Sequence, residues 1–298
     1  MLKSRLCIAF FAFAVGCAPA QKPLTDYVNP MLGTATLWDS VDLGFKPTKR
    51  TWGAEVFPGS SLPNAMVQVS PVTKFHSGAG YQYEDSVIYG FTHTNKGHWN
   101  LCHIPLLPVT GTPTPGDYSS PFSHERESAA PGYYQVFLDR YGVDAQLSST
   151  LRCAFHKYTY PAGAAASLLA DLQRSNEHVR AWDIRKEGDN VFAGWQQTGE
   201  KMYFYAVANR PVTGIEPVVE GDREVRIVRF GEGDGALELR IGFSFVSEKN
   251  ARENLEAEML GKSFAEVRSE ATATWNDLLG RIRVEGGTER EKGLFYSS

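Results

Sequence analysis

Short apolar stretches follow one another from residue 27 to residue 247, and turn residues separate them at steps of roughly 8–12 residues. They are rich in β-branched and aromatic residues, and side chains of two kinds often alternate, as Tyr203 and Tyr205 do with Phe204 and Ala206. Because successive side chains of a strand point to opposite faces, the pattern predicts a mainly β chain built as an antiparallel sandwich or barrel. The predicted strands are residues 65–70, 104–110, 133–138, 143–149, 154–160, 166–171, 181–186, 191–197, 201–208, 224–230 and 236–246.

The spacing of apolar residues changes near residue 248 and predicts two helices. Residues 250–260 form the first, which Gly261 ends. Ser263 and Glu266 make a capping box for the second, which runs to residue 279. Its apolar residues recur at helical spacing and form a stripe that must be buried against another element. The stripe consists of Phe264, Val267, Ala271, Trp275 and Leu278.

The last residues are expected to begin another structural unit. Alternation of Ile and Val with charged neighbours predicts a short strand at residues 281–285, and a new helix follows at residues 289–296. Phe295 and Tyr296 give that helix an apolar face with nothing to pack on. We therefore expect a further domain to follow residue 298.

The first residues have the pattern of a targeting segment. Two basic residues precede the apolar run 6–15, and the small-residue motif Ala18-Pro19-Ala20 follows it. The run is too short to cross a bilayer as a helix. Residues 1–20 are therefore predicted to be a signal peptide, and the chain to be exported to the periplasm or the cell surface without a transmembrane span. A competing interpretation makes Cys17 the lipidated first residue of a lipoprotein.

Composition narrows the classes of partner. The chain has 298 residues, of which 42% are hydrophobic and 21% charged, as is typical of a globular protein. Its formal net charge of −4 offers no basic surface for nucleic acid. Outside the leader the sequence has two cysteines, Cys102 and Cys153, which make no disulfide framework. Two buried free thiols are favoured over a bond between them.

Residues 53–111 form a stretch with the features of a ligand-binding segment. It combines Gly- and Pro-rich loops with four histidines and Trp99 between short strands. His93, His98 and His103 are spaced by five residues, which suits neither one helix face nor one strand face. Hydrogen bonding within loops is therefore favoured over a zinc site. No glycine motif for a nucleotide lies between a strand and a helix, which disfavours a nucleotide enzyme.

Several sequence blocks occur in an order that resembles one family. The blocks are YVNPMLGT at 27–34, Phe57-Pro58-Gly59, MVQVSP at 66–71, GYQY at 80–83, IYGFTHT at 88–94 and PVTG at 108–111, with further likeness at 250–255, 275–282 and 295–296. Together they resemble the N-terminal part of glycoside hydrolase family 92, the calcium-dependent α-mannosidases. The resemblance implies a β-supersandwich at residues 21–247, a helical linker at 248–280 and the start of an (α/α)6 barrel at 281–298.

The resemblance also implies how the chemistry is divided. In this family the catalytic acid, the base carboxylates and most calcium ligands belong to the barrel, so we expect no catalytic residue and no metal site in this chain, and no hydrolysis by it alone. The implied enzyme is an inverting exo-α-mannosidase acting on mannose-containing oligosaccharides of N-glycans or mannans, with calcium as cofactor and its own barrel as partner domain. An acid protonates the leaving oxygen while a base, about 6.5–9.5 Å away, activates water.

The β domain is expected to contribute the rim of the substrate site. By resemblance, Trp99 matches an aromatic residue on the aglycone side in α-1,2-specific members, and an indole face suits the C–H side of a pyranose. The residues predicted to contact substrate are Trp99, His93, His98, Asn100, Phe57, Pro58 and Gly59. The alternative is a stand-alone secreted sandwich that binds carbohydrate without hydrolysing it.

Overall fold

The structure, a computed structural model, describes residues 22–36, 56–96, 99–233 and 235–298. In these ranges the chain is mainly β, with two antiparallel sheets followed by three helices, which confirms the predicted fold class. The predicted signal peptide at residues 1–20 and the lipidation candidate Cys17 lie outside the described residues.

In the described ranges, the first sheet has seven strands. One edge is formed by β17 (Val212–Glu220), which the sequence pattern did not predict because Gly214 and Pro217 resemble turn residues. An edge strand tolerates proline because one side of its backbone has no ladder to complete. In spatial order the strands are β1 (Ser60–Ser61), β2 (Gln68–Val72), β4 (Gly90–Thr92), β7 (Leu106–Val109), β13 (Ser167–Ala170), β18 (Arg223–Phe230) and β17 (Val212–Glu220).

The second sheet has eight strands in the part of the chain described. Five of them match the predicted bounds residue for residue, namely those at residues 133–138, 143–149, 181–186, 191–197 and 201–208. In spatial order the strands are β14 (Ala181–Lys186), β15 (Val191–Gln197), β16 (Lys201–Ala208), β19 (Leu237–Ser244), β12 (Cys153–Thr159), β11 (Val143–Ser149), β10 (Tyr133–Leu138) and β9 (Glu127–Ala130). Two small ladders pair β3 (Val87–Ile88) with β8 (Ser120–Pro121) and β5 (Asn95–Lys96) with β6 (Trp99–Asn100).

The main core lies between the two sheets. Phe91 and Leu168 of the first sheet meet Tyr158, Phe204 and Phe243 of the second, and all five are fully buried. Burial of such side chains stabilises the fold by roughly 1.5–3 kcal/mol each. Cys102 and Cys153 are both buried free thiols, as the sequence favoured.

Three helices follow the sheets: α1 (Glu248–Glu258), α2 (Phe264–Leu279) and α3 (Glu289–Ser297). The first two cover the outer face of the second sheet. The backbone of α1 approaches β19 so closely that a Cβ on Gly242 would lie 2.1 Å from the Ala251 carbonyl oxygen. The apolar cluster beneath the helices consists of Tyr133, Cys153, Phe155, Leu255, Met259, Phe264 and Val267.

The capping box at the start of α2 is confirmed, since Ser263 and Glu266 each bond the other's backbone N–H. The predicted strand at residues 281–285 is wrong: the segment is irregular, and Val284 N donates to the Tyr296 hydroxyl instead of to a neighbouring strand. Tyr296 is buried and lies 5.7 Å, ring to ring, from Tyr27. Part of the apolar face of α3 is thus packed on the N-terminal segment.

Candidate functional site

Trp99 lies on β6 of the small β5–β6 hairpin, and 40% of its surface is exposed. Its neighbour Asn100 is fully buried, as expected for adjacent positions of a strand. An indole combines a large apolar face with one polar N–H, so this exposed ring offers a contact surface to a ligand with an apolar face.

Asn100 fixes the base of this hairpin. Its Oδ1 accepts a hydrogen bond from Cys102 N at 2.7 Å, and its carbonyl oxygen accepts one from Asn176 Nδ2 at 2.6 Å. A Cβ on Gly80 would lie 2.7 Å from its Nδ2, so the loop opposite has no room for a side chain. Asn100 was predicted to contact substrate, but its polar atoms face the interior. Asn100 therefore stabilises the conformation of the hairpin.

Two residues in the next turn have left-handed backbone conformations that are costly for L-residues with a side chain. Cys102 has φ 53° and Ile104 has φ 54°, and Ile104 is β-branched. Each strained residue has its N–H held by a buried amide: Asn100 Oδ1 for Cys102, and Gln196 Oε1, at 2.8 Å, for Ile104. The surrounding structure therefore holds this turn in one conformation.

His93 is fully buried behind the hairpin and belongs to a chain of hydrogen bonds. Its Nδ1 lies 3.4 Å from the His103 carbonyl oxygen, which can only accept, so Nδ1 carries the proton. Its Nε2 then accepts from His156 Nε2 at 3.1 Å, and His156 Nδ1 accepts from the Tyr158 hydroxyl at 2.5 Å. Burial lowers the pKa of both histidines, that of His93 to about 3. His93, also predicted to contact substrate, is a neutral core residue here.

His103 connects the interior to the surface. Its Nδ1 lies 2.9 Å from Thr94 Oγ1, and its Nε2 lies 3.0 Å from Thr198 Oγ1 and 3.3 Å from Glu177 Oε2. Burial lowers the His103 pKa in spite of the nearby Glu177 carboxylate. The short hydrogen bond from Thr198, 2.6 Å, lowers the pKa of Glu177, whose side chain is 39% exposed. Glu177 is therefore a fixed carboxylate at the surface.

A polar cleft of about 790 Å³ opens beside this network. It is lined by His76, by residues 173–182, and by Asp222 and Arg223. The backbone N–H of His76 donates to Asn176 Oδ1 at 2.6 Å, so the cleft and the hairpin base share Asn176.

The motif Phe57-Pro58-Gly59 lies elsewhere. Phe57 and Gly59 line a smaller cavity of about 170 Å³ beside Trp275, and Pro58 is buried. A Cβ on Gly59 would lie 1.9 Å from the Val69 carbonyl oxygen, so this glycine allows two backbones to touch. The structure thus assigns the motif a packing role and does not bring it to Trp99. His98, the remaining predicted site residue, lies outside the described residues.

A calcium site takes 6–8 oxygen ligands, mostly carboxylates and carbonyls. Among the residues that the structure describes, no group of three or more His, Cys, Asp or Glu side chains is placed to hold a metal ion. The described side chains of these four types therefore form no carboxylate cluster of the kind that calcium takes. In the same ranges, no helix is long and apolar enough to span a bilayer.

Sequence reasoning missed Asn176, Gln196 and Glu177. All three act across long stretches of chain, and none lies in a recognisable motif. One signal was present: Gln196 occupies an inward position of β15, where the alternation demands an apolar residue. A polar side chain at such a position needs a buried hydrogen-bond partner. Gln196 accepts from Ile104 N and donates to the carbonyl oxygens of Leu172 and Arg174.

Known proteins resemble the chain over nearly its whole length. The glycosyl hydrolase family 92 N-terminal domain matches residues 27–254, and the family's catalytic domain matches residues 250–298. A family GH92 α-mannosidase from Bacteroides thetaiotaomicron, also solved in complex with mannoimidazole, is 26% identical with a TM-score of 0.80 over 93% of this chain and 40% of its own. An uncharacterized secreted glycosidase of Arthroderma benhamiae is 23% identical over 88% of this chain and 38% of its own length. The chain thus spans about two fifths of the proteins it matches.

Proposed function

The chain belongs to glycosyl hydrolase family 92, and from this premise we propose that it is the substrate-rim part of an exported α-mannosidase. The observation that carries the proposal is Trp99, an exposed indole on a hairpin whose base is fixed by buried amides. The complex of a related α-mannosidase with mannoimidazole supports a mannose-containing ligand, and the secreted relative supports export.

The proposed reaction is hydrolysis of terminal α-mannosides, of α-1,2 type, with inversion, on N-glycan or mannan oligosaccharides. Inversion needs two carboxyl groups about 6.5–9.5 Å apart on opposite faces of the sugar. Near Trp99 the described residues offer Glu177, whose carboxylate is engaged by Thr198 and His103. We therefore place proton transfer, and the calcium expected of the family, in the family's catalytic domain. The role proposed for the 298-residue chain is to hold the sugar.

The indole of Trp99 is the surface on which the proposal depends. Replacing its indole by a methyl group removes the apolar surface on which the pyranose is proposed to lie. Trp99→Ala should weaken binding of α-1,2-mannobiose by about 1–3 kcal/mol, which is roughly 5- to 150-fold in Kd. Isothermal titration of the purified chain measures this directly.

Trp99→Phe is the matched variant, because it keeps a flat ring of smaller area. Its affinity should fall between those of the wild type and Trp99→Ala. Equal affinity of all three proteins for the disaccharide would remove Trp99 from the site, and tighter binding of maltose than of mannobiose would reject the mannoside.

A further inference from the structure

We propose that the polar cleft beside the hairpin is a second sugar subsite, which binds the part of a manno-oligosaccharide that extends beyond the unit on Trp99. The inference rests on the proposed function and adds the length of substrate that the chain recognises.

Hydrogen bonds of Asn176 join the cleft to the strand that carries Trp99. Asn176 lines the cleft and donates to the carbonyl oxygen of Asn100, the residue next to Trp99, at 2.6 Å. Asn176 N also donates to the Leu101 carbonyl oxygen at 3.0 Å. The wall of the cleft is therefore hydrogen-bonded to the strand that carries the indole.

The two surfaces are also held in a fixed relation. Gln196 accepts from Ile104 N on the strained turn at 2.8 Å and donates to the carbonyl oxygens of Leu172 and Arg174 at 2.9 Å and 2.8 Å. A single fully buried side chain thus ties the turn after Trp99 to the segment that enters the cleft. Because these segments of the protein have little conformational entropy to lose on binding, a ligand that contacts both surfaces gains binding free energy from both.

The side chains in the cleft suit a neutral, hydroxyl-rich ligand. Arg223 is paired with buried Asp171 at 2.9 Å, which leaves its charge compensated. Arg180 and Asp222 are exposed, line the cleft and form no ion pair within the described residues. Arg180 can donate to a sugar hydroxyl and Asp222 can accept from one. The other charged groups of the lining, Arg174 and Arg223, are opposed by Glu177 and buried Asp171, so the cleft has no excess of positive charge for an anion.

Trp182 adds an aromatic wall. It is half-buried and lines the cleft, and the guanidinium of Arg226 lies 5.2 Å from its ring centroid. A mostly polar cleft with one aromatic wall is the composition expected for sugar binding, since pyranoses have polar rims and apolar C–H faces.

The test is a titration of the purified chain with linear α-1,2-linked manno-oligosaccharides of two to five units. The double variant Arg180→Ala/Asp222→Ala changes two exposed cleft side chains of opposite charge and leaves the core untouched. The double variant Asp277→Ala/Arg290→Ala removes the same kinds of charge from exposed positions on α2 and α3 and serves as the matched control.

For the wild type and the control we expect affinity to rise about tenfold from the disaccharide to a longer oligomer, as one or two additional hydrogen-bonded contacts would give. The cleft variant should bind the disaccharide normally and lose that rise. If disaccharide binding depends on Trp99 but no length dependence exists, or the cleft variant keeps it, the subsite is rejected while the proposed function survives. If no oligomer binds, the proposed function itself fails. Saturable binding of inorganic phosphate that competes with the oligomers would also overturn the proposal, because the cleft would then be an anion site.

Discussion

Gly59 shows how a residue in a family motif can act through packing alone. A Cβ at this position would lie 1.9 Å from the Val69 carbonyl oxygen, a backbone atom that cannot move without β2. Gly59→Ala should therefore lower the free energy of unfolding by at least about 2 kcal/mol, measured by urea denaturation. Gly214→Ala is the control, because nothing lies within 4 Å of its added Cβ, and it should stay within about 0.5 kcal/mol of the wild type. A stable Gly59→Ala protein that has lost mannoside binding would instead assign the glycine to the site.

At the residue scale, sequence motifs indicate an exposed candidate residue more readily than the buried residues that hold it in place. Trp99 was found by its place in a motif, and the structure leaves it exposed. His93 and Asn100 stand in or beside that motif but are fully buried. Alternation along β6 accounts for Asn100, the neighbour of exposed Trp99, whereas His93 lies before the hairpin in a stretch that is buried on both sides. Gln196 and Asn176 act on residues 92 and 76 positions away, and such contacts exist only once the two sheets are assembled.

At the scale of elements, the histidine chain joins the two sheets. His93 follows β4 of the first sheet and His156 lies on β12 of the second, and both must stay neutral to keep their hydrogen bonds. Their pKa values are lowered by burial, as is that of His103, whereas in the unfolded chain each is about 6.5. Below pH 6.5 these three histidines therefore bind more protons in the unfolded chain than in the folded chain.

The free energy of unfolding should accordingly fall as the pH drops from about 6.5 towards 5, by up to about 1.4 kcal/mol per pH unit for each buried histidine. Urea unfolding between pH 7.5 and pH 5 at constant ionic strength measures this slope. His93→Gln should be less stable at pH 7.5 yet lose less on acidification, and the exposed His178→Ala should follow the wild type. A stability that does not change over this range would contradict the neutral histidine chain.

The sequence pattern predicted elements well where side chains alternate on a buried face. Strands β10, β11 and β16 have the predicted bounds, because burial of every second side chain in the core enforces their period of two. At residues 281–285 the same alternation gave a wrong prediction of a strand. The backbone of this segment hydrogen-bonds the Tyr296 hydroxyl, and Ile282 is 65% exposed. Alternation predicts a strand only where another strand is present to pair with it.

At the scale of the whole molecule, the sandwich presents an aromatic rim and a polar cleft on one fixed framework. Buried amides, Asn100 and Gln196, hold the strained turn that follows Trp99. This arrangement suits a domain that positions a sugar for chemistry performed by other residues.

The most direct test of this account is a crystal structure of the 298-residue chain soaked with α-1,2-mannobiose. We predict an intact disaccharide with one pyranose ring lying flat against the Trp99 indole. A disaccharide bound elsewhere with Trp99 bare, or density for cleaved mannose alone, would contradict the account.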